Sequence, residues 1–307
     1  MIADDTSSEQ WREVAMTDAA APRDAVSPDW WDHRPVFSVT DKGSRITGLA
    51  PGRAPGRLTP RMLFSALLTF TTWASATLVG SASLGCTTSA GCVADVGPGW
   101  LVGGLLVLGY LALLVTVGLA EYARERLGQR RAAALSYLAP LLAGVTVGAG
   151  AGAAVAAGPN PTEGVRQALD GVPGTEATLV SGAVAVLAAL WGLTVAVRLP
   201  SALRHARERQ QCIERLRRDG RRYAGRLQLG DVRFWLHNDP ELDVTVAYDS
   251  PAGRHEVAAR MRSSPDRVPK DGSRVVVYTD LRHAIHIELD RDAEPAFEPE
   301  QRYTPSE

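Results

Sequence analysis

The chain has 307 residues and a formal net charge of −1, long enough for two or three structural units. The near-neutral balance conceals blocks. Residues 1–32 carry eight acids against Arg12 and Arg23, residues 198–226 carry ten arginines against Glu208, Glu214 and Asp219, and residues 288–307 return to seven acids against Arg291 and Arg302. This excludes any inference from one global field, so local charge is what counts. Lysine occurs only at Lys42 and Lys270, and arginine supplies nearly all positive charge. With abundant Ala, Gly and Val, that bias has the look of a high-G+C bacterial genome of actinobacterial type.

Residues 1–60 are acidic and then rich in Pro, Gly and Arg, with no apolar core near Met1 of the kind a cleaved signal carries. Composition predicts a disordered arm there. Within it, Trp30 and Trp31 of DWWDHRP are candidates for docking on a partner or a membrane interface, against a chance aromatic pair.

Four segments then lack any Asp, Glu, Lys, Arg or His: 62–83, 100–120, 132–157 and 178–197. Crossing a bilayer core takes roughly 20 apolar residues of helix, and all four reach that length. A water-soluble helix as long would show a polar face. These segments predict a four-helix transmembrane domain over 61–198. The loops alternate in charge. Arginines precede the first span and lie between the second and third (Arg124, Arg126, Arg130, Arg131). The first outer loop has no basic residue, and the loop between the third and fourth spans has only Arg166. The positive-inside rule then puts both termini in the cytoplasm of a bacterial plasma membrane. Cys86 and Cys92 fall in a predicted outer loop, where a disulfide is permitted. A metal site would need further Cys or His there, and the outer loops hold none.

In the third span, VGAGAGAA approaches a dinucleotide fingerprint but lacks the strand–turn–helix setting that motif needs. Gly144, Gly148 and Gly152 at fourfold spacing instead predict a close helix–helix contact. The spans contain no ionisable group, which argues against a coupled transporter. The hydroxyls at Thr69, Thr71, Thr72, Ser75 and Thr77 either line a pore or bond to backbone and neighbouring helices, the second being the simpler expectation.

Directly after the fourth span comes RHARERQQCIERLRRDGRR, carrying Arg204, Arg207, Arg209, Arg215, Arg217, Arg218, Arg221 and Arg222. Its first role is topological, holding the span end in the cytoplasm against anionic lipid head groups. Leu199, Leu203, Ala206, Ile213 and Leu216 recur near helical spacing, predicting an amphipathic stalk over 199–220 that lies on the membrane or pairs with another copy, with Gly220 ending it. No nucleic-acid-reading module and no interleaved aromatics accompany the arginines, so nucleic acid is not expected as a partner.

From Tyr223 the period drops to two. LDVTVAY, RHEVAARM, RVVVY and AIHIEL alternate, two less regular runs (223–229 and 231–237) precede them, and HNDP, SPAG and KDGS mark turns. Six short strands predict a small antiparallel barrel-like sheet over 221–290, followed by a disordered acidic tail over 291–307. VTVAYDSPAGRHEVAAR and VPKDGSRVVVYTD resemble a family of uncharacterised bacterial domains attached to membrane spans. The resemblance covers 223–290, implies architecture and no chemistry, and departs from the family pattern at Thr279-Asp280-Leu281, where Asp-Pro is common. His283 and His286 are expected on the surface, on opposite faces of one strand.

No catalytic, cofactor-binding or metal-binding constellation emerges. The expectation is a non-enzymatic membrane scaffold or adaptor, with a protein partner or self-association. The alternative is a channel or passive transporter formed by oligomerised bundles.

Overall fold

The computed structural model describes residues 34–88, 98–172, 175–236, 238–280 and 283–305. Four of its helices are long and apolar enough to cross a membrane: α1 (Pro60–Thr88), α2 (Pro98–Leu127), α3 (Arg130–Ala157) and, after the short α4 (Pro161–Leu169), α5 (Glu176–Asp219). Their outer surfaces expose large apolar side chains in bulk, including Phe64 at 66%, Leu106 at 68% and Trp191 at 71%. Helices in water bury such a face, whereas helices in lipid present it.

α3 is the central helix, packed on α1, α2 and α5. Its small residues are the reason. Gly144 lies against Phe70 and Trp73 of α1, Gly148 against Ala74 and Thr77, and Gly152 against Ser81. A methyl group at Gly144 would fall 2.5 Å from the Phe70 carbonyl oxygen, and one at Gly148 or Gly152 would overlap α1 outright. Bare backbone on one side lets the two helices approach closely enough for dispersion between them to hold the contact. The threonine hydroxyls of α1 turn inward to their own helix. Thr69 donates to the Ser65 carbonyl at 2.9 Å, Thr71 to Leu68 at 3.0 Å, and Thr77 to Trp73 at 2.8 Å. Trp73 Nε1–H donates to Thr116 Oγ1 at 2.9 Å, tying α1 to α2.

The fourth apolar stretch does not stop at the arginines. α5 runs unbroken through Pro200 to Asp219, where Gly220 caps it. Span and stalk are one helix. Its lower half buries Ala202, Ala206, Gln210, Ile213 and Leu216 against the chain itself, so this stripe neither lies on a membrane nor awaits a second copy.

A nearly closed antiparallel sheet of six strands follows: β1 (Val36–Ser38), β2 (Arg221–Leu236), β3 (Asp239–Ser250), β4 (Gly253–Arg262), β5 (Arg274–Thr279) and β6 (Ile285–Leu289), in the order β1-β4-β3-β2-β5-β6. The strand count agrees with the sequence pattern, but the membership differs. The two expected strands at 223–229 and 231–237 are a single β2, whose register with β3 shifts after Leu229. Gly230 sits in that bulge against the Asp243 backbone, and the extra residue bends the strand rather than ending it. The sixth strand comes from the other end of the chain. Val36–Ser38 pairs with Arg262–Arg260 and lies beside β6.

Two segments expected to be disordered are therefore structured where they are described. Residues 34–60 supply β1 and thread between sheet and bundle. In the acidic tail, the Lys270 amide donates to the Ala296 carbonyl and the Glu298 amide to the Val268 carbonyl, both at 2.8 Å, and Tyr303 is buried in the sheet's core. That core also holds Phe37, Leu227, Leu242, Val246, Met261, Val277 and Leu289. Low hydrophobicity hides such straps because each needs only a few anchors. Trp30, Trp31 and Cys92 lie outside the described residues. Cys86 falls in the last turn of α1, beyond the described side chains.

Candidate functional site

The polar groups that sequence periodicity leaves unexplained converge on one place, the joint where α5 passes from bundle to sheet. The first cluster is a pair of carboxamides. Gln210, on the buried stripe of α5 and 1% exposed, accepts from the Gly56 amide at 2.6 Å and donates to the Gly48 and Arg126 carbonyls at 3.2 and 3.3 Å. Gln129, also 1% exposed, donates to the Arg45 carbonyl and to Thr47 Oγ1, each at 2.9 Å. Between them Gly128 ends α2 with φ +59°, and its carbonyl accepts from the Gly48 amide at 2.9 Å. Only glycine takes that φ freely, and a side chain here would overlap Gly48. Two helix ends and the N-terminal segment are thus stitched together by neutral groups, as buried polar atoms require.

The second cluster is ionic. Asp41, almost wholly buried, lies 3.1 Å from His205 Nε2 and 3.0 Å from Arg209 Nε. Two turns further, Arg217 donates to Glu288 and to the Leu49 carbonyl, and Arg34 joins it on that carbonyl at 2.6 Å. Glu288 also accepts from His286 Nε2 at 2.8 Å. Burial alone would raise the Glu288 pKa, but His286, Arg217 and Arg34 outweigh it and pull the carboxyl down to about 2. Burial pushes His286 below its ordinary value, more than Glu288 restores. The two partners compete, and the cations around Glu288 favour a carboxylate accepting from a neutral Nε2–H imidazole.

His286 is therefore not a surface residue. β6 is buried on both faces because α5 and the N-terminal segment cover the side that period-two reasoning assigns to solvent. The void beside the pair measures about 10 Å³. That is room for one water at most, so His286 is closely packed between β6, α5 and the N-terminal segment.

A third cluster joins the start of α3 to the sheet. Arg130 pairs with Asp239 and donates to the Leu236 carbonyl. Nearby, Glu241 is 0% exposed and accepts from the Gly43 amide at 2.8 Å. Burial raises its pKa against the pull of that amide and of Arg260 and Arg262. Burial likewise holds Arg262 down, to about 10, with Arg130 adding to the effect and Glu241 opposing it.

Most of the arginine run is spent inside the chain. Arg209 meets Asp41, Arg215 meets Asp280 at 3.5 Å, Arg217 meets Glu288 and Arg218 meets Asp219. Arg222 stacks over Tyr278. Arg204, Arg207 and Arg221 are exposed. His283 is exposed with φ +60°, in the turn before β6. Where α5 enters the sheet, Arg215, Asp219, Tyr223 and Asp280 border an open cleft of about 640 Å³. Among the described residues, no three His, Cys, Asp or Glu side chains are placed to share a metal ion.

The residues that build the joint leave one trace in the sequence. Gln210 falls on the apolar stripe of α5 between Ala206 and Ile213, where an uncharged polar residue signals a buried hydrogen-bonding role. Asp41 and Glu288 leave none, since their partners are far away along the chain. No family model, curated protein or solved structure matches the chain.

Proposed function

We propose that the chain is a multi-pass bacterial plasma-membrane protein, a non-enzymatic scaffold or adaptor that presents its β-domain from the cytoplasmic face. The side is supported by the alternation of basic and bare loops around the four apolar helices. The pairing of β1 with β4 supports an even number of crossings, since strands can pair only on one side of a membrane.

The observation that carries the adaptor reading is the joint itself. A flexible tether would let a domain search for partners. Here a single 44-residue helix and a buried polar seam hold the sheet to the bundle. A domain held this way keeps a set orientation to the membrane, which suits a protein that positions a partner there. The exposed β3–β4 hairpin, turning at Pro251–Gly253, is the natural contact element.

The test is affinity capture of the cross-linked, detergent-solubilised chain, intact and with the hairpin charges reversed at Asp249, Arg254 and Glu256. A stoichiometric partner lost on reversal supports the adaptor. Saturable turnover by the purified chain, or solute flux in proteoliposomes, overturns it.

A further inference from the structure

A recess of about 210 Å³ opens where α3 begins and α5 leaves its apolar stretch, lined by Arg45, Gln129, Arg131, Ser201, Ala202 and His205. Drug-sized ligands take about 300–1,000 Å³, so this one suits a head group rather than a whole metabolite. Arg45 and Arg131 meet no acid among the described residues. Asp41, the nearest carboxylate on the His205 side, is already paired with Arg209. An excess of positive charge is left facing the recess.

Two further features point to a ligand. α3 is a 28-residue helix whose N-cap, Gln129, makes no side-chain cap, and its first turn holds no acid. Its leading amides and dipole favour an anion there. Independently, Gln129 Oε1 is buried and has no hydrogen-bond partner, while its Nε2 is fully used by Arg45 and Thr47. The recess thus offers cationic and N–H donors for an anion, and in its wall a buried, unpartnered acceptor that a shift of the Gln129 side chain would open to a hydroxyl. Its depth is also telling. The uncharged run of α3 starts one residue after Arg131, and that of α5 ends just before Arg198. The recess lies at that level.

We propose that this recess binds the head group of an anionic, hydroxyl-bearing phospholipid of the glycerol type. The phosphodiester sits on Arg45, Arg131 and the first turn of α3, and a head-group hydroxyl donates to Gln129 Oε1. The inference rests on the membrane placement given under Proposed function.

The experiment uses the full chain purified in neutral detergent, with native mass spectrometry reading lipid binding. The probes are phosphatidylglycerol, phosphatidylmethanol (same charge, no hydroxyl), phosphatidylcholine and inorganic phosphate. Phosphatidylglycerol should bind best, phosphatidylmethanol more weakly and phosphatidylcholine least. Replacing both Arg45→Gln and Arg131→Gln should weaken phosphatidylglycerol roughly 30-fold, from the usual contribution of two arginines at a membrane surface. The exposed pair Arg204→Gln and Arg207→Gln should leave it unchanged. Equal losses in both variants would mean diffuse surface charge and overturn the site. Equal binding of phosphatidylglycerol and phosphatidylmethanol would overturn the role of Gln129. Displacement of lipid by millimolar phosphate would make free phosphate the ligand and overturn the lipid assignment. A folded chain in the membrane fraction that binds none of the lipids sinks the site alone. A chain absent from that fraction sinks the membrane reading beneath it.

Discussion

Gln210→Leu keeps the volume of the side chain and removes its three hydrogen bonds. The Gly56 amide, buried and bonded at 2.6 Å, is left with no acceptor, and the Gly48 and Arg126 carbonyls lose longer bonds at 3.2 and 3.3 Å. An orphaned buried donor costs about 1–3 kcal/mol, and the two weaker losses bring the expected destabilisation of this segment to about 2–3 kcal/mol. At about 1.4 kcal/mol per tenfold, local opening of residues 46–58 should become roughly 30- to 150-fold more frequent. Hydrogen–deuterium exchange of the detergent-solubilised chain, resolved on peptides covering 46–58, reads this directly, because local opening sets the exchange rate. Gln211→Leu, one position along on the exposed side of α5, is the control. If the Gln210 variant exchanges this segment at the wild-type rate, the seam does not depend on Gln210, and its three hydrogen bonds do not hold residues 46–58 to the joint.

Gly148→Ala should lower the thermal midpoint by the equivalent of about 1–3 kcal/mol, because the added methyl overlaps Ala74 and Thr77. Gly150→Ala, whose nearest neighbour is the Ala185 methyl at 4.0 Å, should be neutral in the same melt. Acid titration should reveal Glu288. Its depressed pKa stabilises the fold fully above the unfolded value of 4.5, and that stability is lost as pH falls towards about 2. His286, lowered from 6.5, adds a loss that begins as the unfolded chain protonates below that pH. Glu288→Gln should flatten the lower part of a denaturation-versus-pH curve, and an unchanged slope there would refute the assignment. Tyr303→Ala should cost about 3 kcal/mol or more, as removal of a buried aromatic does, and chemical denaturation should show it. A tail dispensable to the sheet would show no change.

The long helices were legible because nothing else in the sequence competes with uncharged runs of spanning length. The alternating strands β3 to β6 were legible for the same local reason. What escaped is non-local. VFS at 36–38 is too short to alternate, and it becomes a strand only because β4 offers an open edge. Ala296, Phe297 and Tyr303 are scattered among acids, so composition suggested a tail where three anchors make a strap. At the joint, Gln210 alone leaves a local signal, by standing on an apolar stripe, and the periodicity of the apolar residues passes over it. The fates of Arg209, Arg215 and Arg217 depend on Asp41, Asp280 and Glu288, which are distant along the chain and invisible to any windowed reading.

The pairing of Val36–Ser38 with β4 has a consequence for how the molecule is made. Topologically, the entire helical bundle is an insertion between the first and second strands of a small sheet. The strand that seals the sheet leaves the ribosome before the four long helices, and its docking edge appears only after them. Such a pairing would be slow for a free chain, since very distant contacts carry the largest closure cost. Assembly of the bundle removes much of that cost by delivering both ends to one place. With the bundle in a membrane, as proposed, integration of the helices and closure of the sheet become ordered events, and a chain with an odd number of inserted helices would strand its first strand on the wrong side, leaving an open sheet edge for quality control to recognise.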